Sequence, residues 1–315
     1  MPSDLSLSGL IFSISRFDAE DGPGIRTTVF LNGCPLRCLW CHSPQSISRE
    51  PQLAFYSNRC IGCGACVEAC PQNARIVSAT ERCLLWEKCD DCGKCAEACP
   101  SKALEMVGEW LTVEQVMDVI KRDLVYYRNS GGGVTFSGGE PLAQPRFLVP
   151  CLKRCKEIGI HTALDTSGFV KWSILERMLP YIDLFLYDVK HMDSGKHEKF
   201  TGVGNELILQ NLRSISQQGK RIWVRIPLIP GCNDSEGNLH RVAEFVEPLT
   251  SVEKVVLLPY NIAASAKYQF IGKKYGLEHL VPHSNEEMAA FVEIFLRLGV
   301  RAELSSKPIG GVQHR

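Results

Sequence analysis

The sequence lacks three features that would narrow its class at once: an excess of one charge, a long apolar run and an export signal. Lysine plus arginine equal aspartate plus glutamate at 35 each, so overall charge does not favour nucleic acid or an anionic membrane as partner. No apolar run reaches membrane-spanning length, and the N-terminus has no basic segment followed by a long apolar stretch. We therefore expect a cytoplasmic protein with no nucleic-acid or membrane partner.

Cysteine, by contrast, is abundant. The chain has 15 cysteines, and most of them lie between Cys34 and Cys99. A disulfide framework would explain such a content in a small secreted domain. At 315 residues this chain is long for such a domain, and its cysteine number is odd. Clustering of this kind in an intracellular chain indicates metal ligands.

Two segments repeat the spacing C-x2-C-x2-C-x3-C-P, which is typical of bacterial ferredoxins. The first begins at Cys60 and the second at Cys89. In this arrangement three cysteines of a run bind one cluster and the fourth crosses to the other cluster. The predicted ligand sets of two [4Fe-4S] clusters are Cys60, Cys63, Cys66 and Cys99 for one, and Cys89, Cys92, Cys95 and Cys70 for the other. Zinc is the alternative metal, but its sites use two separated cysteine pairs rather than three thiols followed by Cys-Pro.

Three further cysteines near or beyond these runs are not expected to bind iron. Cys83 precedes the second run and has no counterpart before the first. We interpret it as a spare thiol, with exchange for Cys89 as a ligand as the alternative. Cys151 and Cys155 are four residues apart in an apolar helical stripe, so they are predicted to be core residues.

The remaining group is a C-x3-C-x2-C triplet formed by Cys34, Cys38 and Cys41. Three thiolates on a four-iron cluster leave one iron that needs a ligand from elsewhere. Catalysis requires such an open position on a metal, whereas a closed site suits structure or electron transfer. We therefore predict a third, catalytic cluster here. A distant thiol such as Cys60 would close the site, but the ferredoxin runs already account for those cysteines.

With this triplet, the sequence resembles the radical S-adenosylmethionine superfamily, and more closely its glycyl-radical-enzyme activating enzymes. The resemblance extends from about residue 9 to residue 304. Each motif alone is weak evidence for this family, but the order in which they occur together is specific to it. The segments that carry it are residues 21–30 (DGPGIRTTVF), 32–33 (NG), 40–44 (WCHSP), 137–141 (SGGEP), 165–168 (DTSG), 188–190 (DVK), 230–234 (PGCND) and 258–260 (LPY).

The resemblance implies that S-adenosylmethionine binds the open iron through its amino and carboxylate groups. It implies that Gly138, Gly139 and Glu140 hold the amino end of the cofactor. It also implies that Arg225 lies beside the cofactor, although a strand-end ion pair would equally explain this arginine. In several relatives a histidine follows Leu-Pro-Tyr, and here that position is Asn261, which leaves the adenine contact open.

A monovalent cation next to the cofactor is also implied, bound by Asp165, Thr166 and Asp188. Two carboxylates at successive strand ends would repel each other, which gives a cation a physical reason to bind between them. The alternative is a pair of capping aspartates.

Short apolar runs alternate with helical stretches, which is typical of βα units around a parallel sheet. Capping boxes are predicted at Thr112 with Gln115 and at Ser284 with Glu287. The α/β fold is expected to be the partial (β/α)6 TIM-type barrel of the resembled family, formed by residues 1–50 and 108–315. Residues 51–107 are expected to be an inserted ferredoxin-like domain that carries two [4Fe-4S] clusters. The strands of the partial barrel are predicted at residues 27–31, 133–136, 162–164, 182–187, 221–227 and 254–258.

The activity implied by the resemblance is reductive cleavage of S-adenosylmethionine and generation of a glycyl radical on a partner enzyme. A flavodoxin or a ferredoxin is the expected reductant. One alternative is a radical S-adenosylmethionine enzyme that acts on a small molecule or a peptide. Another is an electron-transfer ferredoxin with an appended domain, which the open triplet disfavours. Residues 21–24 either meet the glycine loop of the partner or simply turn the chain into the first strand.

Overall fold

The computed structural model describes residues 7–78 and 81–305. Apolar residues in its strands and helices follow the periods of two and 3.6 that the sequence shows. The strands are β1 (Ser8–Asp18), β2 (Arg26–Leu31), β3 (Gln52–Phe55), β4 (Arg75–Val77), β5 (Arg82–Leu84), β6 (Leu104–Val107), β7 (Glu109–Thr112), β8 (Gly133–Gly138), β9 (His161–Thr166), β10 (Leu184–Asp188), β11 (Arg221–Leu228), β12 (Val252–Pro259) and β13 (Ala302–Leu304).

Nine of these strands form one sheet in the order β13-β12-β11-β10-β9-β8-β2-β1-β7. Seven neighbouring strands, β13, β12, β11, β10, β9, β8 and β2, are parallel. The last two strands, β1 and β7, pair antiparallel at one edge of the sheet. The α/β class with a mostly parallel sheet is confirmed, and all six predicted strands are present. The parallel part nevertheless has a seventh strand, β13, which the prediction missed because a segment of three residues shows no clear period.

Most of the helices that follow β7 pack against one face of the sheet, where their apolar stripes join alternate strand residues in a single core. Within residues 7–78 and 81–305, no helix is long and apolar enough to cross a lipid bilayer. The helices are α1 (Ala65–Glu68), α2 (Lys94–Glu97), α3 (Val113–Lys121), α4 (Leu124–Ser130), α5 (Pro145–Glu157), α6 (Trp172–Glu176), α7 (Ser194–Thr201), α8 (Glu206–Gln217), α9 (Glu236–Val246), α10 (Ala264–Phe270) and α11 (Asn285–Arg297).

Local sequence signals correctly placed two helix starts and two core residues. Thr112 Oγ1 accepts the Gln115 N–H at 3.2 Å, and Gln115 Oε1 accepts the Thr112 N–H at 2.8 Å. The second predicted capping box, at the start of α11, is also present. Cys151 and Cys155 are fully buried in α5. These predictions succeeded because each depends on contacts within a few residues of chain.

The chain leaves the large sheet after β2 and returns to it at β7. Between these strands, β3 pairs with β6 and β4 with β5 in two small antiparallel sheets. Their apolar side chains form a cluster that is distinct from the main core, with members such as Leu53, Leu84 and Leu104. The interpretation of residues 51–107 as an inserted ferredoxin-like domain stays a prediction.

Candidate active site

A cavity of about 500 Å³ lies on the face of the sheet opposite the main helical core. Side chains alternate across a strand, so Val224 of β11 faces the core while Trp223 and Arg225 face the cavity. Two predicted groups, the triplet and the glycine pair, share its wall with the charged residues of β9 to β11. The predicted site residues in the wall are Cys34, Cys38, Cys41, Gly138, Gly139, Asp165, Thr166, Asp188 and Arg225.

The triplet lies in the loop after β2, and backbone hydrogen bonds hold this loop in place. Arg37 N–H donates to the Thr201 carbonyl at 2.7 Å, and Leu39 N–H donates to the Phe200 carbonyl at 3.0 Å. Burial raises the pKa of all three thiols, to about 12 for Cys38, where the ammonium of Lys190 opposes the rise. Since iron binds thiolates, loading of this site must release protons and gains affinity as pH rises.

Arg225 is the centre of a buried ionic network in the cavity. Its Nη1 lies 3.3 Å from Asp21 Oδ1 and 3.5 Å from Asp165 Oδ2, and its Nε lies 3.8 Å from Asp188 Oδ1. Burial alone would lower the pKa of Arg225, but the three carboxylates outweigh burial and raise it. Arg225 therefore stays charged and holds the ends of β9, β10 and the β1–β2 loop together.

In this network, side chains of the protein already neutralise the two aspartates of the predicted cation site. Lys190 Nζ donates to Asp188 Oδ2 at 2.6 Å, and Ser137 Oγ donates to Asp165 Oδ2 at 2.6 Å. The two carboxylates thus receive positive charge from Lys190 and Arg225 of the chain itself. Binding of a monovalent cation here stays a prediction.

Glu140 is buried behind the cavity wall rather than in it. Its Oε1 accepts from Thr166 Oγ1 at 2.7 Å and from Leu142 N–H at 3.2 Å. Its Oε2 accepts from Ser167 N–H at 2.9 Å and from Ser167 Oγ at 2.6 Å. Burial raises the pKa of Glu140, and these hydrogen bonds oppose the rise. The carboxylate ties the end of β8 to the end of β9, so these contacts favour positioning over direct cofactor contact.

Two glycines in the predicted motifs are required by close backbone approach. A Cβ on Gly138, which has a φ of +118°, would lie 2.3 Å from the Leu31 carbonyl oxygen. A Cβ on Gly24, at a φ of +67°, would lie 2.5 Å from Gly132 N. Both contacts are too short for any side chain. For Gly24 this favours packing into the first strand as its role, while Asp21 of the same segment lines the cavity.

Several buried polar atoms in the wall have no hydrogen-bond partner among the described residues: His42 Nε2, Asp188 Oδ1 and Arg225 Nε. Burial lowers the pKa of His42 to about 4, so the imidazole is neutral near pH 7. Buried polar groups without partners are costly. These atoms fit a polar ligand such as S-adenosylmethionine, which offers an ammonium, a carboxylate and hydroxyls.

Sequence reasoning missed His42 and Lys190 as site residues, although both belong to quoted motifs. It also missed three further residues of the cavity wall. Lys254 Nζ lies 3.7 Å from the ring centre of Trp223 and pairs with Glu303 Oε1 at 2.5 Å. No local signal marks these residues. Asn261 is not in the cavity wall, and its Oδ1 accepts the Ala263 N–H at 2.9 Å.

The ferredoxin-type cysteines line two separate small cavities. The structure brings together the same fours that the spacing grouped, including the exchange of the fourth cysteine: Cys60, Cys63, Cys66 and Cys99 in one wall, and Cys70, Cys89, Cys92 and Cys95 in the other. All cysteines of the chain are free thiols, Cys83 among them. The disulfide alternative is therefore not realised. Iron binding at the two cavities stays a prediction.

Comparisons with known proteins identify the family. The family model for the Radical SAM superfamily matches residues 28–243. A choline trimethylamine-lyase activating enzyme of Oleidesulfovibrio alaskensis is 44% identical over 275 residues, which cover 85% of this chain and 89% of that protein. A trans-4-hydroxy-L-proline dehydratase activating enzyme of Clostridioides difficile is 44% identical over 292 residues, or 92% and 96% of the two chains. The chain therefore belongs to the radical S-adenosylmethionine superfamily and, within it, to the glycyl-radical-enzyme activating enzymes.

Solved structures with little sequence identity to this chain share its fold. The crystal structure of Streptococcus suis SuiB bound to the precursor peptide SuiA matches with a TM-score of 0.52 and 14% sequence identity. The match covers 86% of this chain and 46% of SuiB. At this identity the likeness is one of architecture.

Proposed function

We propose that this activating enzyme cleaves S-adenosylmethionine at the triplet and passes the radical to a glycine of a partner glycyl radical enzyme. Cys34, Cys38 and Cys41 would hold an iron-sulfur cluster, which when reduced would supply the electron for this cleavage. The supporting observation is that these three cysteines share one cavity with Arg225 and Asp188, each of which has a polar atom without a hydrogen-bond partner.

The charged residues of the cavity orient the cofactor in this proposal. Arg225 Nε and Asp188 Oδ1 form a 3.8 Å ion pair but have no hydrogen-bond partner. The first suits an acceptor such as the carboxylate, and the second suits a donor such as an ammonium or a hydroxyl. Gly138 and Gly139 offer backbone polar groups without side chains in the way. Buried apolar residues Leu36 and Trp40 in the wall keep water from a reactive radical.

The two small cavities are proposed to bind two further [4Fe-4S] clusters, which makes three in all. Residues 51–107 would then be the ferredoxin-like insertion, and residues 1–50 with 108–315 the partial barrel. Cys63 and Cys92 are exposed, which supports electron entry from an external flavodoxin or ferredoxin at this side. A cytoplasmic location and a monovalent cation at Asp165 remain predictions.

The partner is proposed to be a glycyl radical enzyme of the lyase, dehydratase or decarboxylase kind. The similar activating enzymes are named for choline trimethylamine-lyase, trans-4-hydroxy-L-proline dehydratase and 4-hydroxyphenylacetate decarboxylase. A small molecule or a peptide as the radical acceptor is the alternative, and the names of these relatives favour the protein partner.

A two-part measurement tests the proposal. Anaerobically reconstituted protein should contain about 12 iron atoms, four for each cluster. Mixed with dithionite, S-adenosylmethionine and the glycyl radical enzyme encoded nearest to it, it should produce 5′-deoxyadenosine and a glycyl radical signal in electron paramagnetic resonance. The same mixture with the partner's radical-loop glycine replaced by alanine is the control. Cleavage of the cofactor with no radical on any glycyl radical enzyme offered would contradict the assignment of the partner.

A further inference from the structure

Arg75, at the start of β4, is a buried arginine whose charge has no partner in the part of the chain that the structure describes. The residue is only 3% exposed. Its Nε, Nη1 and Nη2 are all buried without a hydrogen-bond acceptor among residues 7–78 and 81–305. The guanidinium lies over the ring of Phe55, 4.2 Å from its centre. A buried cation without a counter-charge is strongly destabilising, which indicates that an anionic group compensates it in the working protein.

The wall of one small cavity contains this arginine. Arg75 lines the cavity of the Cys60 group together with Phe55 and Leu104. The wall of the Cys89 group contains Asp90 and no basic residue. Asp91 Oδ1 also lies 4.0 Å from Cys89 Sγ. The wall of the Cys60 group thus contains a cation and the wall of the Cys89 group an anion. The charge of Arg75 also reaches the second group, because burial raises the pKa of Cys95 and Arg75 opposes this rise.

The internal repeat shows that the difference is specific to one half. The residues that follow the fourth cysteine are Pro-Gln-Asn-Ala-Arg75 in the first run and Pro-Ser-Lys-Ala-Leu104 in the second. Asn73 and Lys102 share a left-handed backbone, with φ of 50° and 54°. The counterpart of Arg75 is therefore Leu104, which is 1% exposed. A leucine is tolerated at the equivalent place, so the repeat does not require an arginine for packing.

We propose that Arg75 compensates the negative charge of the iron-sulfur cluster bound by the Cys60 group and makes that cluster easier to reduce than its neighbour. The inference rests on the two-cluster part of the proposed function. One electron from an external one-electron reductant enters, no bond forms or breaks, and the site gains one negative charge. Arg75 stabilises this more negative state, while Asp90 disfavours it at the other cavity. Nearby charge and hydrogen bonds to the sulfurs set the reduction potential of such clusters.

The experiment uses the full chain with Cys34, Cys38 and Cys41 replaced by alanine, so that only the two ferredoxin-type clusters remain. About eight iron atoms are expected. A redox titration followed by electron paramagnetic resonance should give two midpoint potentials. Arg75→Leu, which copies the other half, should lower the higher of them. At a fixed potential the ratio of reduced to oxidised cluster should fall about tenfold, or about 59 mV for a one-electron couple, with a smaller change in the other.

Arg82→Leu is the matched control. Arg82 is exposed and donates from Nη1 to the Cys60 carbonyl at 2.8 Å, so its removal changes net charge equally at the same loop. Solvent screening should keep its effect well below that of Arg75→Leu. Arg75→Lys, which retains the charge, should restore most of the potential. If Arg75→Leu loses iron, Arg75→Gln replaces it, with the same expected fall.

Three results would overturn the inference, and they differ in meaning. Unchanged potentials in an Arg75→Leu or Arg75→Gln protein that retains eight iron atoms would remove the role of Arg75 alone, as would an equal fall in Arg82→Leu. An iron content near zero in the triplet-free chain would refute the two-cluster assignment itself.

Discussion

The cysteines of this protein form two kinds of site, and the surroundings of the thiols distinguish them. The ferredoxin-type groups each line a small cavity walled mainly by apolar residues and their own loops. The triplet opens into a cavity of about 500 Å³ whose wall contains Arg225, Asp165 and Asp188. Four thiols occupy every ligand position of a four-iron cluster. Three thiols leave one iron free to bind a ligand from the charged cavity. Where the fourth thiol is missing, the cavity wall therefore offers polar groups that suit a ligand from outside the chain.

The comparison is tested most strongly by removing one cysteine from each kind of site. Cys41→Ala should abolish formation of 5′-deoxyadenosine, because the open iron is lost with its cluster. Cys60→Ala should slow the reaction with a protein reductant and leave residual cleavage with dithionite. Liquid chromatography of the nucleoside products measures both.

Cys151→Ala is the control for these variants, since Cys151 is a fully buried residue of α5 away from the cavities. It should retain cleavage and lose only packing energy. An undiminished rate in Cys41→Ala would mean that the triplet is not the catalytic site.

The charged wall can be tested with two arginines of the same strand. Arg225→Ala removes the cation shared by Asp21, Asp165 and Asp188, leaving buried carboxylates that repel each other. We expect cofactor cleavage to fall on the order of a hundredfold, as for loss of an oriented charged contact, while the iron content is retained. Titration of the cofactor against the cluster signal should show weaker binding.

Arg221→Ala is the matched control for this change. Arg221 lies at the exposed start of β11 and pairs with Glu253 Oε1 at 2.5 Å. Its removal should change cleavage less than twofold, since exposed ion pairs contribute on the order of 1 kcal/mol or less to stability. Equal losses in the two variants would show that Arg225 supports the strand rather than the cofactor.

The smallest effect is expected from Glu140→Gln, which changes stability through the hydrogen bonds behind the wall. The new amide cannot accept all the bonds from Thr166 and Ser167, which should cost about 1–3 kcal/mol in the free energy of unfolding. Because the folded-state pKa of Glu140 is raised, the wild type loses stability as pH rises above 4.5 through that pKa. The glutamine does not titrate, so the deficit of the variant should shrink as pH rises.

Chemical denaturation at several pH values measures this deficit. Glu157→Gln, at the exposed end of α5, is the control and should change stability by less than about 0.5 kcal/mol. A deficit that grows with pH would show that Glu140 is stabilised as the carboxylate.

The sequence predicted the parts of the site that depend on short stretches of chain. Cysteine spacing gave the triplet and both groups of four, and the glycines of residues 137–141 lie where the motif placed them, beside the triplet. Glu140 of the same motif is not among the residues that line the cavity, and its contact with the cofactor stays a prediction. The direction of the Glu140 side chain depends on Thr166 and Ser167 of the next strand, and a motif of five residues contains no information on that contact.

The strand pattern was predictable for the same reason, but β1, β7 and β13 of the large sheet were not predicted. One face of each strand from β8 to β12 lies in the main core, so the apolar residues of that face identify these strands. β13 has only three residues. β7 is short as well, and its Trp110 is exposed, so β7 lacks a clear apolar face. Both strands exist because they pair with a longer neighbour.

By itself the sequence determined how many cysteines each group contains, since the spacing within a loop depends on residues that are near in the chain. Tertiary structure alone decided which charges meet. Asp21 and Arg225 are 204 positions apart and lie within 3.3 Å, because parallel register brings β11 beside β10 and the β1–β2 loop across it. The same holds for Arg75, which is buried in the wall of the Cys60 group where its guanidinium lies over Phe55.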